Sequence, residues 1–127
     1  MNENEYALSK LEKAYTRLSE AAKMANEELE RDGTIQRFEF TFELLWKTIK
    51  IILNNNGIKA QTPRDCLKEA FRLEWLKDEK VFLDMMEDRN KTSHVYDEST
   101  SAQIFNNIKN NYVAAIAGVV KKLKTIL

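Results

Sequence analysis

The feature that most constrains this chain is an apolar rhythm in steps of three and four residues, carried over nearly its whole length. Such spacing puts apolar side chains on one stripe of an α-helix, whereas a half-buried strand would alternate at every second residue. Only three glycines and one proline are available to interrupt the pattern. The sequence therefore predicts an all-α protein, an up-and-down bundle of four to five helices, three of them long.

The first two predicted helices are separated by the few turn-forming residues in the N-terminal half. The apolar stripe of the first helix comprises Leu8, Leu11, Tyr15, Leu18, Ala22, Ala25 and Leu29. Asp32, Gly33 and Thr34 are expected to interrupt it, with Asp32 or Thr34 capping a central second helix. That helix carries Ile35, Phe38, Phe42, Leu45, Trp46, Ile49, Ile52 and Leu53, and its apolar face is widened by Phe40, Leu44 and Ile51. Gly57 can take the left-handed conformation that closes a helix.

Three further helices are predicted from their start signals. Thr62 and Pro63 form an N-cap and first-turn pair that starts a short third helix. Asp78 starts a fourth helix, and Ser99 or Ser101 is expected to cap the last one. The fourth helix should turn Phe82, Met85 and Met86 inward. The inward stripe of the last helix comprises Ile104, Ile108, Tyr112, Ala115, Val119, Leu123 and Ile126. We expect one domain over residues 1–127.

Composition excludes several classes of function. Twenty basic and twenty acidic residues cancel, so net charge gives no case for nucleic-acid binding, and we expect no DNA partner. Cys66 and His94 are each the only residue of their type, which argues against a disulfide or a metal site within one chain. No apolar run reaches the roughly 20 residues that cross a bilayer, and the acidic N-terminus is unlike a secretory signal. We expect a cytoplasmic protein without membrane association, metal or cofactor.

Residues 89–96 form the segment best suited to chemistry, with the sequence Arg-Asn-Lys-Thr-Ser-His-Val-Tyr. His94 is the only histidine, and histidine is the side chain whose ordinary pKa allows proton transfer near neutral pH. Arg89 supplies a fixed charge that can hold a phosphate. Tyr96 can donate a hydrogen bond, although a pKa of about 10 makes it a poor base.

Structural explanations of the same residues stay open. Arg89 continues the apolar stripe of the fourth helix, where a guanidinium needs a carboxylate, another subunit or a ligand. It could pair with Glu39 or Glu43 and simply fix the bundle. Glu39, Glu43 and Lys47 form a ladder of i, i+4 charges typical of a helix surface, although Glu43 could instead orient Arg89. His94 could be a hydrogen-bonded structural residue and Tyr96 a loop aromatic that covers the core.

Three blocks of sequence resemble a known family. Residues 32–47 resemble the second-helix signature of a HEPN subfamily, with the sequence DGTIQRFEFTFELLWK. The blocks Thr62-Pro63-Arg64 and Asp88–Glu98 recur there in the same order. This subfamily is the small subunit paired with a minimal nucleotidyltransferase, formerly called the nucleotidyltransferase substrate-binding protein, and it is similar to HepT-type toxins. The resemblance spans roughly residues 5 to 125, and the Arg-x4-His-x-Tyr pattern is intact.

The resemblance implies a HEPN-like helical homodimer that acts as a metal-independent endoribonuclease on RNA. It implies that Arg89 and His94 are the catalytic pair. It further implies a toxin–antitoxin partnership in which a minimal nucleotidyltransferase neutralises the protein by adenylylating Tyr96. Chemistry points to the same dimer, because one chain owns one imidazole whereas RNA cleavage needs both a base and an acid.

Two other classes of function remain. In the first, the chain is a non-catalytic subunit that presents a substrate or nucleotide to its nucleotidyltransferase, and Arg89 only holds phosphate. In the second, it is a purely structural dimer whose apolar helix faces serve assembly.

Overall fold

The computed structural model describes residues 1–92 and 97–127, and within them every regular element is helical. The prediction of an all-α bundle is therefore confirmed. Two long antiparallel helices are followed by two shorter ones and by a C-terminal rod that contains a π-helical segment. The elements are α1 (Glu3–Met24), α2 (Glu28–Asn55), α3 (Pro63–Arg72), α4 (Glu79–Lys91), α5 (Glu98–Asn107), the π segment (Ile108–Tyr112) and α6 (Val113–Ile126).

The first helix ends earlier than predicted. It stops at Met24, and α2 begins at Glu28 and continues straight through Gly33, so the break predicted at residues 32–34 is wrong. The actual start is set by Glu30, whose carboxylate accepts hydrogen bonds from the backbone amides of Asn26 (3.1 Å) and Glu27 (2.9 Å). These two bonds satisfy amides that a helix start leaves unpaired. Leu29 consequently lies on the exposed first turn of α2, not on the stripe of α1.

Small residues bring α1 and α2 close together along what we call the Ala–Thr seam, formed by Ala7, Ala14, Thr41 and Thr48. All four are buried. The hydroxyl of Thr41 donates to the carbonyl of Ala14, and that of Thr48 to the carbonyl of Ala7, each at 3.4 Å. Because both pairs are seven residues apart on each helix, the contact repeats every two helical turns.

The predicted signals between α2 and α4 are confirmed. Gly57 has a φ of 81°, its amide donates to Asn54, and the amide of Ile58 donates to Leu53, which together make the left-handed helix ending expected there. The hydroxyl of Thr62 accepts from the amide of Asp65 ahead of Pro63. Asp78 caps α4 in the same way.

The C-terminal rod departs from the prediction at its start and in its register. Asp97 is the N-cap, accepting from the amide of Thr100 at 2.6 Å, so neither Ser99 nor Ser101 has that role. Beyond Tyr112 the inward position is taken by Ile116 instead of Ala115, because the π segment widens the helix and shifts the stripe. Ile126, predicted to end the stripe, is exposed.

The core lies around α2, which packs against α1, α3, α4 and α5. Its fully buried side chains include Phe38, Phe42, Leu45 and Ile49. Phe40 does not widen this core as predicted, because its ring is 62% exposed. In the described part of the chain no helix combines the length and apolarity that a membrane span requires.

Candidate functional site

Arg89 lies in the last turn of α4, at the end of the buried stripe formed by Phe82, Met85 and Met86. Its side chain is 28% exposed, and its Nη2 lies 3.3 Å from Oε1 of Glu43 on α2. Its Nε is buried and has no hydrogen-bond partner among the described residues. A guanidinium offers five donors in a planar fork, so the contact with Glu43 leaves donor capacity for a ligand.

Glu43 is shared between two cations. Its Oε2 lies 3.7 Å from Nζ of Lys47 and also accepts from Nε1 of Trp46 at 3.3 Å, while its Oε1 faces Arg89. One carboxylate therefore stands between two cationic groups, which leaves the cluster with an excess of positive charge. Such a cluster suits a phosphate at the exposed side of Arg89.

Asp88, next to Arg89 in the chain, is held by the C-terminal rod and not by α2. Its carboxylate Oδ2 accepts from the hydroxyl of Tyr112 at 2.5 Å and from Nδ2 of Asn107 at 3.1 Å. Asp88 is 9% exposed. Burial is the largest cause that raises the pKa of the Tyr112 hydroxyl, followed by its hydrogen bond to Asp88. The Tyr112 hydroxyl therefore keeps its proton at neutral pH and donates it in the hydrogen bond to Asp88.

The other two predicted site residues, His94 and Tyr96, follow the end of α4 in the sequence. The hydroxyl of Thr92 donates to the carbonyl of Arg89 at 2.6 Å and satisfies one of the terminal acceptors of the helix. Further along, the carboxylate of Asp97 caps α5. Hydrogen bonds from Thr100 lower the pKa of this carboxyl. His94 and Tyr96 lie outside the described residues, so their roles remain predictions.

Glu39 faces a cavity of about 370 Å³ beside the end of α4. Its acidic lining also includes Glu28, Asp32, Asp97 and Glu98. So many carboxylates would repel a phosphate, which separates this cavity electrostatically from the cluster at Arg89. Across residues 1–92 and 97–127, no three His, Cys, Asp or Glu side chains form a group that could hold a metal ion.

Part of this arrangement was among the alternatives open from the sequence. One of them paired Arg89 with Glu39 or Glu43, and the structure brings it to Glu43, while Glu39 lines the neighbouring cavity. Sequence reasoning missed the contact of Asp88 with Asn107 and Tyr112. The available signal was a tyrosine on an otherwise aliphatic stripe, since a buried phenol hydroxyl needs a partner.

Comparison with known proteins places the chain in a sequence family. The family described as nucleotidyltransferase substrate binding protein like matches residues 5–125. A Haemophilus influenzae protein named "Probable ribonuclease HepT" is 35% identical over 78 residues, which are 58% of this chain and 53% of that protein. The chain thus spans about half the length of this curated relative.

Two solved structures share the fold. The crystal structure of a Thermus thermophilus protein matches with a TM-score of 0.84 and 32% identity, over 90% of this chain and 98% of that one. A solved structure from Haemophilus influenzae matches with a TM-score of 0.70 over 95% of this chain and 96% of that one. It is titled as the fold of a substrate binding domain of a nucleotidyltransferase. At 24% identity this second likeness shows the fold alone.

Proposed function

We propose that this chain, which belongs to the nucleotidyltransferase substrate-binding family, is a metal-independent endoribonuclease of a toxin–antitoxin pair. Its similarity to a protein named probable ribonuclease HepT supports the proposal. The observation that carries the proposal is the guanidinium of Arg89. It stands partly exposed at the end of α4, oriented by Glu43 and with donor capacity to spare, five residues before the only histidine. This is the position from which it could hold the scissile phosphate of RNA.

The proposed reaction is a transesterification. One His94 removes the proton of a ribose 2′-hydroxyl, whose oxygen attacks the adjacent phosphorus. The bond from phosphorus to the 5′ oxygen breaks, and a protonated His94 donates to that leaving oxygen. The products are a 2′,3′-cyclic phosphate and a 5′-hydroxyl. Arg89 stabilises the negative charge that develops on the phosphate oxygens.

Because each chain has one histidine, the proposed mechanism requires a homodimer with both His94 residues at one groove. Support comes from the exposed ring of Phe40, which lies three residues before Glu43 and so on the same face of α2. A large exposed aromatic beside the Arg89–Glu43 pair is suited to burial against a second copy. Phe40→Glu should give a monomer in light scattering and lose activity, whereas Tyr6→Glu, at an exposed aromatic on α1, should change neither.

The nuclease proposal is tested with purified protein and single-stranded RNA in EDTA. His94→Ala should lower cleavage by roughly 10²- to 10⁴-fold, the usual contribution of a general acid or base. Arg89→Ala should lower it by roughly 10²- to 10³-fold through lost charge stabilisation. The matched control is Arg72→Ala, which removes an exposed arginine paired with Glu69 on α3. Full cleavage by His94→Ala would refute the proposal.

The proposed antitoxin is a minimal nucleotidyltransferase that adenylylates Tyr96. The family's description, which ties these proteins to a nucleotidyltransferase, supports such a partner. Co-expression with that partner should add adenylyl mass to the chain and abolish RNA cleavage. Tyr96→Phe should prevent the mass increase and keep the toxic effect. Mass gained on Tyr96→Phe would place the modification elsewhere.

A second candidate is a non-catalytic subunit that presents a nucleotide or other substrate to the nucleotidyltransferase. The Arg89–Glu43 pair favours this candidate, because phosphate binding alone would explain the partly exposed guanidinium without any proton transfer. In that case no RNA cleavage appears at high protein concentration, and nucleotide binding falls in Arg89→Ala but changes little in His94→Ala. Measuring binding and cleavage on the same variants separates the two candidates.

A further inference from the structure

The π segment brings together two side chains that an α-helix would keep apart. Asn107 and Tyr112 are five residues apart, and at 3.6 residues per turn they would point about 140° away from each other. Here the amide of Val113 donates to the carbonyl of Ile108, the i to i+5 bond that defines a π turn. Residues five apart then lie nearly one above the other, and Asn107 and Tyr112 face the same side.

Both side chains use that alignment for one acceptor. The hydroxyl of Tyr112 and the amide of Asn107 donate to the same atom, Oδ2 of Asp88. The ring of Tyr112 is itself fixed by stacking on Phe38 of α2, with centroids 5.4 Å apart and planes 20° from parallel. A buried carboxylate is costly unless it is hydrogen-bonded, so this site selects one orientation of Asp88.

We propose that Asp88, clamped by Tyr112 and Asn107, is a positioning residue that sets the direction of Arg89 at the active site. This inference rests on the proposed function for its consequence but on the described contacts for its geometry. Consecutive residues of an α-helix point about 100° apart. Asp88 is fixed by the C-terminal rod and Arg89 by Glu43 of α2, so the last turn of α4 is held at two points around its axis.

Each point alone is insufficient to orient the guanidinium. The Arg89–Glu43 pair is partly exposed and joins two flexible side chains, so on its own it permits rotation of the turn. The Asp88 clamp is short, buried and built on a stacked ring, and it removes that freedom. Since a displacement of 1 Å at a reacting group can cost roughly 100-fold in rate, the clamp would act on catalysis and not only on stability.

The test compares three variants with a control. Tyr112→Phe keeps the ring and its stacking but removes the shorter hydrogen bond, and Asp88→Ala removes the acceptor. Asp88→Asn is the conservative variant, because both donors meet a single oxygen that an amide also provides. Tyr6→Phe removes a hydroxyl from an exposed ring on α1 and serves as the control.

In the ribonuclease assay, well below the melting temperature, Tyr112→Phe should lower kcat by about 10- to 100-fold with KM changed less than about two-fold. Asp88→Asn should recover most of the kcat that Asp88→Ala loses. A merely structural role would instead lower the folded fraction, and with it the active enzyme concentration, as judged by circular dichroism. Wild-type kcat in folded Tyr112→Phe would overturn the inference.

A second measurement does not depend on ribonuclease activity. The Nε–H signal of Arg89, assigned by its loss in Arg89→Lys, is followed by nitrogen-15 NMR. In Tyr112→Phe its hydrogen exchange should be at least about ten-fold faster than in wild type, Asp88→Asn and Tyr6→Phe. If wild type cleaves no RNA but this acceleration is seen, the proposed function fails and the clamp stands. Unchanged exchange in Tyr112→Phe refutes the clamp whatever the activity.

Discussion

The pairing of Arg89 with Glu43 can be measured by a double-mutant cycle built from Glu43→Gln and Arg89→Met. At a separation of 3.3 Å, two unit charges attract by about 1.3 kcal/mol in bulk water and by about 5 kcal/mol at an effective dielectric constant of 20. The side chains of Arg89 and Glu43 are 28% and 34% exposed, and the Glu43 carboxylate also contacts Lys47 and accepts a hydrogen bond from Trp46. We therefore expect a coupling near the lower limit, about 1 kcal/mol.

The assay is urea unfolding at pH 7 of wild type, both single variants and the double variant, with equal m-values as the condition for comparison. The matched control is the cycle between Glu43→Gln and Lys47→Met, because Lys47 is 59% exposed and 3.7 Å from the same carboxylate. That coupling should stay below about 0.5 kcal/mol. An Arg89 coupling no larger than that of Lys47 would refute the claim that Glu43 holds Arg89.

Three further predictions concern groups elsewhere in the bundle. Ala14→Leu forces a larger side chain into the buried Ala–Thr seam and should lower the free energy of unfolding by about 1–3 kcal/mol in urea titrations. Burial raises the pKa of the Cys66 thiol, so a thiol reagent at pH 8 should label it only in denaturant; fast labelling of native protein would contradict its burial. The folded-state pKa of Tyr112 is raised above its unfolded value of about 10. Its stabilisation is therefore complete below pH 10 and lost as pH rises further, and unfolding titrations of Tyr112→Phe should show a flatter decline than wild type.

The first helix boundary shows where local sequence signals mislead. Asp32 and Gly33 predict a helix break, but glycine inside a helix costs only about 1 kcal/mol, and α2 continues through Gly33. No close packing requires glycine there, because a Cβ at Gly33 would meet no atom within 4 Å. The hydrogen bonds from the amides of Asn26 and Glu27 to Glu30 fix the start of α2 several residues before Gly33. Glutamate is common enough in helices that this start could not be recognised from sequence alone.

The C-terminal rod shows a different limit. Its apolar spacing predicts a helix correctly, but a regular 3.6-residue period cannot reveal the π segment, whose Tyr112 contacts Asp88 of α4 and Phe38 of α2. The same holds for Asp88, which meets partners 19 and 24 residues further along. For Arg89 the sequence does give a signal, because a guanidinium on an apolar stripe requires a partner. The carboxylates of α2 were candidates, and Glu43 is the partner observed.

The Ala–Thr seam has a consequence for how the two long helices are aligned. Its small residues recur at the same seven-residue interval on both helices, so sliding α1 by one full repeat would again set one alanine opposite one threonine. Packing in the seam alone thus tolerates more than one alignment, about 10.5 Å apart. The three residues between Met24 and Glu28 leave little chain for such a slide, and the buried leucines of α1, Leu8, Leu11 and Leu18, hold the observed alignment.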